Sequence, residues 1–126
     1  MKEIIECVPN LSTSDPVVVE VILNEIRKVK NVCLLDRTYD NYYNRLVISY
    51  IGNESSVLTS ALNLAMKAIE LIDMNKHKGQ HPRVGAVDVV PFIPIKNVTI
   101  KDCIRMAKRF GKTLAEKCGI PIYLYA

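Results

Sequence analysis

Apolar and polar positions along this chain switch between a period of two and a period near 3.6, and the switches mark its elements. "IIECV" (4–8) is a short apolar run that predicts a buried strand stopping at Pro9-Asn10. In "LSTSDP", Ser14 or Asp15 suits a helix cap and Pro16 the first turn, where a missing N–H costs nothing. Val18, Ile22, Ile26 and Val29 then recur at helical spacing. "VCLLD" (32–36) and the alternating "LVISYI" (46–51) predict two more strands, separated by a polar loop, "RTYDNYYN". After a turn at Gly52-Asn53, Leu58, Ala61, Leu62, Ala65, Ile69 and Ile72 line one face of a long helix. "AVDVVPFIPI" predicts one strand of about ten residues, its two prolines suiting an edge or a bulge. Thr99 and Asp102 have capping-box spacing, and Ile100, Ile104, Ala107, Gly111, Leu114 and Cys118 define the face of a third helix. Gly119 and Pro121 end it, and "IPIYLY" (120–125) predicts a last strand.

The order is therefore β-α-β-β-α-β followed by α-β. The first six elements match the split βαβ, or ferredoxin-like, pattern. The expected class is α/β in the broad sense (α+β): a mainly antiparallel sheet with helices packed on it and an added C-terminal α-β. The chain reads as one domain over residues 1–126, without repeat or linker. In this topology the connections 9–15, 36–45 and 73–85 open at one end of the sheet. They are also the connections richest in polar side chains, which makes that end the place to look for a site.

Composition narrows the function. The formal charge of +4 is mild and its carriers read as scattered, whereas nucleic-acid binders concentrate Lys and Arg on one face. RNA-binding relatives of this fold class stack bases on strand aromatics. "IIECV" has none and "LVISYI" only Tyr50. Four cysteines (Cys7, Cys33, Cys103, Cys118) lie in apolar runs without a C-x-x-C pair, and read as buried free thiols of a reducing compartment. The N-terminus does not read as a signal peptide, and no apolar run is long enough to cross a bilayer. A cytoplasmic protein with neither a membrane nor a nucleic-acid partner is expected.

The two histidines, His77 and His81, stand four residues apart, a zinc-like spacing on a helix. Gly79 between them and Pro82 behind them break that helix, and no third ligand stands at motif spacing, so no metal is expected. Either imidazole can be a general base or a solvated side chain. Arg37, Arg45, Lys76, Lys78 and Arg83 fall in or beside two of the converging loops, as a carboxylate-binding rim or a solvated one. Asp36, Asp40 and Asn44 suit either orienting an imidazole, binding an amine or forming turns. Pleat alternation turns Asp88 toward solvent.

"ECVPNLS" (6–12), "LLD" (34–36), "NR" (44–45), "ALN" (61–63), "LIDMNKHKGQHPRVGAVDVVPFIP" (71–94) and "YLY" (123–125) resemble the N-terminal subdomain of the glutamate formimidoyltransferase (formiminotransferase) family. The similarity spans essentially the whole chain. It implies two ferredoxin-like subdomains with the substrates in the cleft between them. It implies transfer of a formimino group from N-formimino-L-glutamate to N5 of tetrahydrofolate, the co-substrate, late in histidine breakdown. The family's catalytic histidine, in an "HKGEHPR"-type motif, falls on His81 as general base. The substrate-binding positions carried over are Asn10, Asp36, Asp40, Asn44, Arg45, Lys78, Gly79 and Arg83. Tyr42 and Tyr43 stand where many bacterial relatives have Asp and His. Family enzymes continue past the equivalent of Ala126, so a complementary second-subdomain chain or a homo-oligomer is expected to complete the cleft. The alternatives are a catalytically inactive relative that binds folate or an amino acid, and a regulatory or assembly module.

Overall fold

The computed structural model describes residues 2–13, 15–40, 42, 44–72 and 87–119. Among these, the chain forms β1 (Ile4–Cys7), β2 (Asn10–Leu11), α1 (Pro16–Arg27), β3 (Val32–Asp40), β4 (Arg45–Gly52), α2 (Glu54–Leu71), β5 (Val87–Val89), β6 (Phe92–Lys96) and α3 (Ile100–Cys118). The predicted last strand, 120–125, lies outside the described residues.

β1 and β2 are one strand interrupted at Val8-Pro9, and β5 and β6 one strand interrupted at Val90-Pro91. So neither the first strand nor "AVDVVPFIPI" runs as predicted: the first resumes beyond Pro9, and the second is cut in two. Every pairing among the described residues is antiparallel. β4 pairs with β1 and β2 on one side and β3 on the other, while β6 and β5 pair with β1 and β2. Counting each interrupted strand once gives the spatial order fourth, first, third, second, the ferredoxin-like order expected from the element pattern. The α+β class is thus confirmed.

Each helix has a local cause. Asp15 caps α1 by accepting from Val17 N, with Pro16 in the first turn. Asn53 caps α2 by accepting from Ser56 N at 2.8 Å. Thr99 and Asp102 close a reciprocal capping box on α3, and Gly119 ends it in the left-handed conformation at φ 66°. The Asp fills the third position as well as the preferred Glu would. It accepts from the Thr99 N–H at 3.0 Å, and this bond with the Thr99 backbone, above all, lowers its pKa.

All three helices cover one face of the sheet. Ile5, Cys7, Leu11, Leu46, Ile48 and Tyr50 point into it and meet Val19, Ile22, Leu23 and Ile26 of α1 and Val57, Ala61, Leu64, Ala65 and Ala68 of α2. α3 joins through Cys103, Met106, Phe110 and Leu114, with Phe110 edge-on to Phe92 of β6 at 5.7 Å. This corrects the predicted α3 face: Ile100 and Ile104 are exposed. Gly111 and Leu114 were read rightly, but the apolar stripe runs through Met106 and Phe110 instead, because two nearby isoleucines mimic a core face that the docking of α3 on β6 does not use.

Gly52 lies where β4 enters α2. A Cβ there would stand 2.7 Å from the Asn31 carbonyl oxygen and 3.2 Å from Val57 Cγ2. Since a backbone atom cannot swing aside, Gly52→Ala is expected to destabilise by about 1–3 kcal/mol, read as a lower urea midpoint at unchanged slope.

Candidate active site

The site is sought where the polar connections meet, and the register shows which ones do. Leu11 of β2 lies between Leu46 of β4 and Val87 of β5. Tyr39 and Asp40 of β3 stand opposite Leu46 and Arg45. The β2–α1 connection, the β3–β4 hairpin and the return of the 73–86 connection at Val87 therefore share one end of the sheet. His77, His81, Lys76, Lys78, Gly79 and Arg83 belong to that connection and lie outside the described residues.

Asn10 is half-buried at this end, between Val47 and Val89, with its Nδ2 donating to the Val8 carbonyl at 3.2 Å. Asn44 adopts φ 52°, the left-handed conformation that turns β3 into β4 and that asparagine tolerates better than branched residues. It thus has a backbone reason to be asparagine besides any contact with substrate. Arg45 is exposed and opens β4 opposite Asp40.

Two positions differ from expectation because β3 runs on to Asp40 instead of stopping at 36. Asp36 is a mid-strand residue opposite Ser49, about 13 Å along the strand from Asp40. It lies beside the open sheet face, away from the rim. Arg37 pairs with Ile48 and its guanidinium donates to Glu20 of α1 at 2.6 Å. That ion pair, with Arg27 adding a second bond at 3.2 Å, lowers the Glu20 pKa and raises that of Arg37. Arg37 is thus committed to α1 and leaves the basic rim. A bulge at Leu35 shifts the register between Leu34 and Asp36, and period-two reading cannot anticipate it.

The second sheet face has a chemistry that the sequence reading passed over. Ser49 Oγ donates to Glu6 Oε2 at 2.7 Å, a half-buried pair at its centre. The signal was available, since Glu6 falls between buried Ile5 and Cys7, and Ser49 between buried Ile48 and Tyr50. Around them alternation places Ile4, Val8, Val47, Ile51, Val89 and Ile93, apolar side chains on the face without helices. Antiparallel sheets with one solvated face usually alternate apolar and polar residues, so this face, which no described helix covers, is unusually apolar.

Beneath it, Tyr50 OH donates to the Val57 carbonyl at 3.3 Å, and burial, then Cys7, raises its pKa. Burial pushes the Cys7 thiol up to about 12. Cys103 is also buried, but Cys33 is exposed and Cys118 half-buried, which corrects the reading of four buried thiols. Cys33 sits opposite Ile51 and so turns to the open face. A thiol-specific disulfide reagent is expected to modify Cys33 in the folded protein and to reach Cys7 and Cys103 only on unfolding. Protection of Cys33 in a mass-spectrometric map of the labelled chain would contradict that placement. Among the described residues no group of three His, Cys, Asp or Glu side chains could hold a metal ion. No described helix is long and apolar enough to cross a membrane.

Residues 4–126 match the model of the formiminotransferase domain, N-terminal subdomain. The chain belongs to the formiminotransferase N-terminal subdomain family. It is 42% identical to a formimidoyltransferase-cyclodeaminase of Dictyostelium discoideum over 126 residues, 99% of this chain and 24% of that protein. It is 43% identical to the formimidoyltransferase-cyclodeaminase of Sus scrofa, of which it covers 23%. It is 39% identical to a glutamate formimidoyltransferase of Streptococcus pyogenes serotype M1, of which it covers 42%. The chain thus spans about a quarter to two-fifths of these relatives.

Proposed function

We propose that this formiminotransferase subdomain supplies one wall, and the general base, of a glutamate formimidoyltransferase site. N-formimino-L-glutamate and tetrahydrofolate are the substrates, and a second subdomain forms the facing wall. The observation that carries this reading is the strand register, which brings Asn10, the Asp40–Arg45 hairpin and Val87, where the His81-bearing connection returns, to one end of the sheet. The apolar face around Glu6 and Ser49 supports the second wall, since covering it removes apolar surface from water.

The chemistry asks little else of the protein. N5 of the folate attacks the amidine carbon and must lose its proton, and a neutral imidazole at His81 is suited to take it. Collapse of the tetrahedral adduct then breaks the bond from that carbon to the glutamate nitrogen, and the proton held on His81 returns to the leaving amine. Arg45, Lys78 and Arg83 suit the carboxylates of glutamate and folate. Asn10, Asp40 and Asn44 stand at the rim, and Asp36 stands on the sheet face away from it.

The test is formimino transfer by the purified chain, alone and mixed with a second subdomain from one of the relatives above. Transfer on mixing supports the reading, and so does transfer by the chain alone through self-association. Tight tetrahydrofolate binding without turnover in both cases would replace it with a binding role. That outcome would turn attention to Tyr42, an exposed side chain in the hairpin.

A further inference from the structure

The positive charge of this chain is not scattered in space. Seventeen Lys and Arg against thirteen Asp and Glu give +4. α3 alone carries six of those cations against Asp102 and Glu116, a difference of four, so the remaining residues sum to zero. We propose that the outer face of α3 docks an acidic helical segment of a protein partner.

Lys101, Arg105, Lys108 and Lys112 follow one another at intervals of four, three and four residues, which sets them in a single line down the helix. All four are exposed, on the side away from Met106 and Phe110, which are buried against the core. Like charges at these spacings repel and weaken the helix that carries them. Only Arg105 is compensated, by Asp102 at 3.0 Å and by Glu54 of α2 at 2.6 Å. Lys101, Lys108 and Lys112 have no carboxylate partner among the described residues. A line of carboxylates laid along them would turn the repulsion into attraction.

The shape selects the kind of partner. The line is about 17 Å long, three turns of a facing helix, and one helix wide. Beside it α2 presents Glu54, so a broad anionic plane such as a lipid surface would meet a carboxylate as well as lysines. Ile100 and Ile104 are 68% and 49% exposed and flank the line on one side. Phosphate backbones make no use of such side chains, whereas a protein helix carrying Leu next to its Glu column does. This reading is independent of the chemistry proposed for the other end of the sheet.

The probe is a labelled synthetic helix with glutamates at matching intervals and leucines on one flank, followed by fluorescence anisotropy at about 50 mM salt. Binding is expected to weaken about tenfold or more in the variant Lys101→Glu/Lys108→Glu/Lys112→Glu, and by a similar factor for the wild type at about 300 mM salt. Ile104→Ser is expected to weaken it about threefold with the salt dependence unchanged. Circular dichroism checks folding, and Gln in place of Glu serves if the triple variant does not fold. Equal binding by wild type and the lysine variant overturns the proposal. So does tighter binding of phosphatidylserine vesicles or of a DNA duplex than of the acidic helix.

Discussion

His81→Ala is expected to lower kcat for formimino transfer by about 100- to 10,000-fold, the range that a positioned general base contributes. KM for both substrates should change little, because the imidazole acts on a proton in flight and carries no substrate carboxylate. The wild-type rate should also fall toward acid pH, as the imidazole takes up the proton it must leave free, and that acid limb should vanish in the variant. A variant that keeps kcat and loses only KM would assign His81 to binding and refute its role as base. Comparing His77→Ala under the same conditions separates the two histidines of the 73–86 connection. If the loss followed His77 instead, the residue assignment would fail while the formimidoyltransferase reading stood.

Leu11→Ala is expected to cost about 3–5 kcal/mol, near the upper end for a leucine truncation. Leu11 is fully buried, and β2, to which it belongs, is only two residues long. It is wedged in register between Leu46 and Val87, so the cavity has strands on both sides that cannot collapse into it without breaking their pairing. Denaturant unfolding would show the loss as a lowered midpoint. Because Val87 begins the strand on which the His81-bearing connection returns, transfer should suffer as well, even at temperatures where the variant is folded. A loss below about 1 kcal/mol would mean that the site end repacks freely. Tight packing of Leu11 between β4 and β5 would then be wrong.

Both predictions rest on features with very different visibility in the sequence. The fold was legible because its signals are local: Asp15-Pro16, Asn53 and Thr99–Asp102 announce helix starts, Gly119 a helix end, and "LVISYI" a strand with one buried side. The shared end of the sheet followed from element order alone. Strand ends were not legible. "RTYD" contains nothing that resists a strand, and it continues β3 because Arg37 finds Glu20 on α1 and Tyr39 pairs with Leu46, both contacts between distant segments. That error moved Asp36 and Arg37 into a loop they do not occupy. The α3 face failed for a related reason, since periodicity reports that a helix is amphipathic but cannot weigh Ile100 and Ile104 against Met106 and Phe110. Of the candidate residues, Asn10, Asn44 and Arg45 lie at the polar end that element order implied, whereas the Glu6–Ser49 pair was overlooked because each partner is unremarkable by itself.

The prolines that interrupt the first and fourth strands, Pro9 and Pro91, stand level with each other. Val8 N donates across to the Pro91 carbonyl at 3.3 Å, and the Pro9 carbonyl accepts from Ile48 N at 3.1 Å, while β4 passes the same level unbroken. Two neighbouring strands thus lose an N–H donor along one line, and the sheet acquires a crease with β4 as its spine. Below the crease lie β1 and β6 with the Phe92–Phe110 contact, a leaf held down by α3. Above it lie β2 and β5, two short strands that carry the rim. Because β4 crosses that line unbroken and pairs with β1 below it and β2 above it, β4 is the strand that ties the rim to the lower leaf and its helices.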